Sequence, residues 1–315
     1  MMRRKKQYSL SLVIPVFNEQ DNIDPLVKKI IASLKKIPLK EVEIIFIDDG
    51  STDNTFAKLV EHQKYTKFVK IVKLRTNSGK ATAYSVGFFS AKNEVIITLD
   101  GDLQDDPAEI QLFLDKLDEG YDMVTGWKVK GKGTIVKTQL SRFFNFIVSV
   151  AFQLRLHDFN CPFKAYKREA LIGLRVYSGL YRYIPVFAKN YGFRVAEIKI
   201  SNSPRKFGKS KYGGKRILTG FFDFITSFFL IRFNMRPMYM FGSLALINMT
   251  VGTGILAYLT WLSFQGQAVG SRPFFSLGIL LEIMSLQFFS IGFIAELFTR
   301  NVVNVDTQYL IDKTA

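Results

Sequence analysis

An α/β fold with interfacial amphipathic helices and two C-terminal transmembrane helices is predicted by three observations. From residue 8 to 127, short β-rich apolar runs alternate with polar, helix-like stretches. Two amphipathic stretches follow, at 134–155 and 214–236. From Pro237 to Ser271 there is no charged residue.

The first region contains SLSLVIPVF, EVEIIFID, FVKIVKL, EVIITLD and YDMVTGW, separated by helix-like segments at 21–36, 53–65, 80–91 and 107–118. Such alternation predicts a parallel sheet flanked by helices. Ligands of these sheets bind beyond the carboxyl ends of the strands. The residues there are Pro15 to Glu19, Asp48 to Asp53, Arg75 to Lys80 and Asp100 to Gln104, all polar and loop-like. The basic-then-apolar N-terminus resembles a signal peptide, but Pro15 interrupts a short apolar part that runs into Asn18 and Glu19, so it reads as a first strand.

In 134–155, Lys137, Ser141, Asn145 and Ser149 lie four apart on one face of an amphipathic helix. The stretch 214–236 places Lys215, Arg216, Arg232 and Arg236 at its ends and phenylalanines between them, a composition that suits the membrane interface. Residues 238–264 exceed the roughly 20 needed to cross a bilayer, and 274–298 form a second span carrying Glu282 and Glu296. Carboxylates there face protein, which predicts helix contact or a homo-oligomer. Lys and Arg crowd the region before the first span, while the connection at 265–273 carries only Arg272. This asymmetry predicts a multi-pass protein of the inner (plasma) membrane with both termini cytoplasmic.

A net charge of +16 predicts polyanionic partners. Nucleic acid is not expected among them, because the phenylalanines are concentrated in apolar, membrane-like stretches. Cys161 is the single cysteine, which excludes an intrachain disulfide and any CxxC motif.

The most informative segment is DGDLQDDP, after the strand EVIITL. Alternate side chains beyond a strand converge, and the oxygens of Asp100, Asp102 and Gln104 suit Mg²⁺ or Mn²⁺; zinc would want the His or Cys that this segment lacks. Together with VIPVFNE at 13–19, IDDGSTDNT at 47–55 and RTNSGKATA at 75–83, in that order, it resembles the inverting GT-A glycosyltransferases of family 2. HDFNCPFKAY at 157–166, PRKFGKSKY at 204–212 and the two spans narrow the resemblance to polyisoprenyl-phosphate glycosyltransferases, such as the bacterial undecaprenyl-phosphate glucosyltransferases and the dolichol-phosphate mannose synthases. It covers essentially the whole chain. The expected parts are a GT-A (Rossmann-like) core at 1–133, the two interfacial helices, an acceptor-side part at 156–213 and the anchor at 237–315.

The resemblance implies a donor pocket lined by Pro15, Phe17 and Glu19, with Asp48 or Asp49 on the base. An acidic residue there favours UDP, because a carboxylate accepts from uracil N3–H. It places Lys80 and Asp100 beside the nucleotide-sugar, and Asp100, Asp102 and Gln104 around the metal. Arg205 and Lys211 would hold donor phosphates, and Lys209, Ser210 and Tyr212 the acceptor phosphate. Asp158 matches the acceptor-side aspartate and, with Asp102, forms the expected catalytic pair. It is either a base or a positioning residue, since a phosphate monoester is already largely dianionic at neutral pH. One departure is Cys161-Pro162, where relatives carry a Gly before the Phe.

The implied reaction moves a hexose, glucose favoured, from UDP-sugar to undecaprenyl phosphate. Mannose or N-acetylhexosamine synthases are the alternatives. A processive polysaccharide synthase would need a Gln-x-x-Arg-Trp motif that neither Trp127 nor Trp261 completes. A membrane scaffold with a dead transferase domain is the non-enzymatic alternative.

Overall fold

The computed structural model describes residues 7–128, 135–172, 174, 178–201, 203–204, 216–233, 236–269 and 273–302. The order is β1 Tyr8–Val16, α1 Gln20–Leu34, β2 Leu39–Asp48, α2 Thr55–Tyr65, β3 Val69–Lys73, α3 Lys80–Ser90, β4 Val95–Thr98, α4 Ile110–Asp118, β5 Met123–Lys128, α5 Ile135–Phe152, β6 Lys164–Lys167, α6 Ile184–Asn190, β7 Val195–Ile200, α7 Arg216–Phe233, α8 Pro237–Phe264 and α9 Pro273–Val302. The chain divides into two units, with the break after Ser227, inside α7.

The first unit is built on a seven-stranded sheet of order β3-β2-β1-β4-β6-β5-β7. β1 to β4 pair in parallel, and β5 pairs in parallel with β7. β6 is antiparallel to both β4 and β5, which it separates. The five expected strands are present. The sheet is mixed, because β6 and β7 come from a stretch without a long apolar run, and their strand state follows from pairing rather than from local pattern.

Both faces of the sheet are covered, and for that reason the second half of β1, Leu12 to Val16, is apolar on both faces instead of alternating. Leu10, Leu12 and Ile14 pack with Ile23, Leu26 and Ile30 of α1 and Phe113 and Leu114 of α4. Val13 points the other way, into a layer with Ala83 and Tyr84 of α3 and Ile184 and Ala188 of α6. A polar cluster is built into this core. Glu43 on β2 lies opposite Ser11 of β1. It accepts from Ser11 Oγ at 2.6 Å and Lys92 N at 2.7 Å, and it pairs with Lys70. Burial alone would raise the Glu43 pKa, but the bonds from Lys70, Ser11 and the Lys92 amide outweigh it and hold the carboxyl below its ordinary range.

In the second unit, α8 and α9 are long and apolar enough to cross a membrane. They pack through small residues: Gly252 faces Leu281 and Gly278, and Gly292 faces Met238 and Phe241. The two acidic residues are used within this pair. Glu282 accepts from Thr253 Oγ1 at 2.7 Å, and Glu296 accepts from Met238 N, one of the free amides at the start of α8, at 3.2 Å. Helix contact therefore accounts for both carboxylates without a second copy of the chain.

Glu43→Ala is expected to cost about 1–3 kcal/mol, since Ser11 and the Lys92 amide lose their buried acceptor. Thermal unfolding in detergent measures this. Because the folded carboxyl is depressed, the contribution is present above the ordinary carboxylate range and is lost as pH falls through the folded pKa, so the gap between wild type and variant closes in acid.

Candidate active site

The loops that follow β1, β2, β3 and β4 meet at one edge of the sheet, and hydrogen bonds join the first three. Asn18, at φ 49, donates its amide to Ser51 Oγ at 2.9 Å and accepts from Thr52 N at 2.8 Å. Glu19 N donates to Thr55 Oγ1 at 2.8 Å, and Asn54 N donates to Gln20 Oε1 at 3.1 Å. The VIPVFNE and IDDGSTDNT segments thus form one polar interlock. Asp49 extends it to the third loop, its two oxygens accepting from Ser78 N at 2.7 Å and Gly79 N at 2.9 Å. Gly50 lets this happen. Its φ is +72, and a Cβ there would stand 2.6 Å from the Thr76 carbonyl carbon.

Asp48 and Asp49 are now distinguished by their surroundings. Asp48 is fully buried; one oxygen accepts from Ser51 N at 2.9 Å and the other has no partner among the described residues. Pro15, Phe17 and Glu19 are half-buried along the same edge. Lys80, at the start of α3, reaches across to Asp100 Oδ1 at 2.5 Å, with the rings of Tyr84 and Tyr181 near its ammonium. Tyr181 precedes Arg182, which pairs with Asp223 of α7 at 3.5 Å.

The DGDLQDDP turn is compact. Asp102 is buried and accepts from Gln104 N at 3.1 Å, and Leu103 takes a φ of 62. A Cβ on Gly101 would overlap Val16 Cγ1, so the turn rests directly on the end of β1. Asp105 is buried and paired with Lys128 of β5 at 2.6 Å. Burial pushes the Asp105 carboxyl up against the pull of the Lys128 ammonium, whose own pKa rises because Asp105 more than offsets its burial.

The oxygen donors at Asp100, Asp102 and Gln104 fit Mg²⁺ or Mn²⁺ by their chemistry. Among the described residues no three His, Cys, Asp or Glu side chains converge as a ready cage. A hard cation there would use one or two carboxylates, with substrate phosphates completing its shell.

A cleft of about 1040 Å³ lies next to this edge, lined in part by Trp127, Lys128, Asn145, Arg155, His157 and Asp158. Asp158 is therefore on a concave surface, linked to the DGDLQDDP turn through Lys128. The Cys161-Pro162 departure leaves the backbone well held: Thr98 Oγ1 donates to Pro162 O at 2.6 Å, and the buried Lys164 ammonium donates to Phe159 O at 3.3 Å and to Cys161 O. Burial lowers the Lys164 pKa and raises that of the Cys161 thiol, which stays protonated and packs beside Gly126. Arg205, Lys209, Ser210, Lys211 and Tyr212 lie outside the described residues. The last described contact before them is Ser203 N donating to Gln104 O at 3.1 Å.

Sequence reasoning missed Lys128, Lys164, Trp127 and Glu197 as site components. Each sits on or beside a strand, where a lone charge or ring carries no motif.

Asp49→Ala is expected to speed hydrogen exchange at the Ser78 and Gly79 amides by at least tenfold, the loss of about 1.4 kcal/mol of local protection. Amides of β1 should be unaffected, as mass-spectrometric exchange will read.

Comparison with known proteins bears on the family and the fold. Glycosyl transferase family 2 matches residues 11–175. A dodecaprenyl-phosphate galacturonate synthase of Rhizobium johnstonii is 32% identical over 308 residues, covering 95% of this chain and 90% of that protein. An undecaprenyl-phosphate 4-deoxy-4-formamido-L-arabinose transferase of Klebsiella pneumoniae is 30% identical, covering 96% and 93%. Glucosyl-3-phosphoglycerate synthase from Mycobacterium tuberculosis, solved with Mn²⁺, UDP-glucose and phosphoglyceric acid, shares the fold at a TM-score of 0.52 and 18% identity, over 69% of this chain and 80% of that one. With the motif loops joined at one sheet edge and relatives matched along nearly its whole length, the chain belongs to glycosyl transferase family 2, in company with dodecaprenyl- and undecaprenyl-phosphate sugar transferases.

Proposed function

We propose that this protein transfers a hexose from a UDP-sugar to a polyisoprenyl phosphate of the undecaprenyl type, with inversion, at the cytoplasmic face of the inner membrane. One observation carries the reading: the loop edge that unites Asp49, Lys80, Asp100 and Asp102 adjoins the cleft containing Asp158, with the Asp105–Lys128 pair between them. The acceptor class follows the two full-length relatives, both named for polyprenyl phosphates.

Asp49 is the base-binding residue in this reading. Both carboxylates are buried, but Asp49 is the one that bridges the second and third loops, and each of its oxygens keeps a second lone pair beyond the amide it holds. Pro15, Phe17 and Glu19 line the uridine. Asp100 orients Lys80 toward the donor, and Asp102 with Gln104 holds the divalent cation. When bound, the cation offsets the charge that develops on the departing diphosphate. An acceptor phosphate oxygen forms the bond to the anomeric carbon as the bond to UDP breaks, and the electron pair leaves with UDP. The acceptor phosphate is already largely dianionic and needs no base, so Asp158 serves in positioning rather than proton transfer. The basic segment with Arg205, Lys209, Ser210, Lys211 and Tyr212 supplies cations and hydroxyls to the donor and acceptor phosphates.

The membrane placement draws on exposed apolar side chains: Phe146 and Val150 on α5, and Phe221, Phe222 and Ile225 on α7. Together with the two long apolar helices, these suit a lipid surface. The Lys and Arg asymmetry orients it. Glucose is the first donor to assay, and galacturonate is a second reading favoured by the Rhizobium relative.

The test is a panel of UDP-glucose, UDP-galacturonate, UDP-N-acetylglucosamine and GDP-mannose with undecaprenyl phosphate, in detergent, with organic extraction of labelled lipid. A lipid-linked hexose from a UDP donor is the expected product. Transfer from GDP-mannose alone would overturn the UDP assignment, and labelled polymer in place of lipid would overturn the acceptor. Asp102→Ala should lower transfer on the order of 10²–10³-fold while the protein still fractionates with membranes. Unchanged turnover would remove Asp102 from the cation site.

A further inference from the structure

The geometry points to Glu197 as a positioning residue that sets the place of Asp158 and the ring orientation of His157, an inference that rests on the acceptor-side reading above. It begins with strand register. Thr125 of β5 lies opposite Glu197 of β7, and Trp127 lies opposite Lys199. Side chains two apart on a strand share a face, so Glu197 and Lys199 stand side by side next to Trp127. Lys199 Nζ lies 5.2 Å from the Trp127 ring centroid. The His157 ring stacks on Trp127 at 4.0 Å and 12°.

Glu197 is the member of this group that reaches the backbone. Its Oε1 accepts from His157 N at 2.9 Å and Asp158 N at 3.0 Å. Its Oε2 accepts from His157 N at 3.1 Å and lies 2.7 Å from His157 Nδ1. Two consecutive amides and a ring nitrogen therefore meet one carboxylate whose side chain is 10% exposed. From the opposite side, Asn145 Nδ2 donates to His157 O at 2.6 Å and Ser149 Oγ donates to Leu156 O at 3.3 Å. The segment 156–158 has no regular secondary structure, yet α5 and β7 hold it between them.

A carboxylate only accepts, so Nδ1 of His157 is the protonated nitrogen and Nε2 is the ring atom left for a ligand. Trp127, His157 and Asp158 line the cleft, and Glu197 does not. Glu197 thus acts on the acceptor through Asp158 and His157 without touching it.

Two substitutions separate this role from general support of the fold. Glu197→Ala removes every bond. Glu197→Gln keeps an oxygen for the two backbone amides and offers an amide N–H to Nδ1, which requires the other histidine tautomer. The readouts are kinetics with UDP-sugar and undecaprenyl phosphate, exchange of the His157 and Asp158 amides, and the thermal midpoint.

The expected result for Glu197→Ala is a fall in kcat/KM for the lipid of about 10–100-fold, the scale of a misplaced reacting group. Donor KM should stay within about twofold, and exchange should be faster at both amides. Glu197→Gln should recover about tenfold of the lost activity. Wild-type acceptor kinetics in Glu197→Ala would overturn the inference. So would a donor KM that worsens as much as the lipid term, or a Gln variant no better than Ala with an equally lowered midpoint. Absence of lipid product from the wild type would overturn the acceptor reading itself, and the inference with it.

Discussion

Asp49 accepts the amides of Ser78 and Gly79 while Gly50 lets the Thr76–Asn77 backbone come close behind it, and the rest of the site depends on this contact. It brings the third loop to the first two, and α3 starts where that loop ends. The start of α3 places Lys80 against Asp100. A carboxylate bonded to two main-chain amides is also a poor surface group and a good hinge pin: its charge is spent on backbone that would otherwise lack partners. The polar loops can then lie close together without strand pairing among them.

A second layer of buried charge supports the far side of the site. Asp105 and Lys128 form an ion pair between the acidic turn and β5, and Lys164 places its ammonium on the carbonyls of the 159–161 segment. Buried charges of this kind contribute little net stability, because desolvation offsets most of the attraction. Their effect is on geometry. Removing one partner strands the other, so the turn and the acceptor-side segment hold their places relative to the sheet.

Much of the loop cluster beyond β1 to β4 was legible in the sequence because each motif there is contiguous. VIPVFNE, IDDGSTDNT, RTNSGKATA and DGDLQDDP each pair a strand end with a polar turn, and the rule that sites lie beyond strand ends puts them together. The cleft beside them was less legible. Asp158, which lines it, was singled out by its motif, but Glu197 lies in VAEIKI, an ordinary strand with one acidic residue, and Trp127 in YDMVTGW. Their partnership with His157 depends on β5 pairing with β7, two strands separated by more than sixty residues of chain. The two glutamates of the apolar helices were read as pointing to helix contact or self-association, and the hydrogen bonds to Thr253 and to the Met238 amide satisfy them within the pair.

What the sequence by itself determined is the class of fold, the polar loops that gather beyond the ends of β1 to β4 and the presence of two helices apolar enough for a bilayer. These rest on local patterns of hydrophobicity and on turn chemistry, which need no knowledge of distant partners. The tertiary structure alone decided that β6 enters the sheet antiparallel between β4 and β5, that Asp49 and not Asp48 clamps the third loop, and that Glu197 fixes the backbone at His157 and Asp158. Each of those depends on which strands become neighbours, and strand neighbours are chosen by packing across the whole sheet rather than by any segment of it.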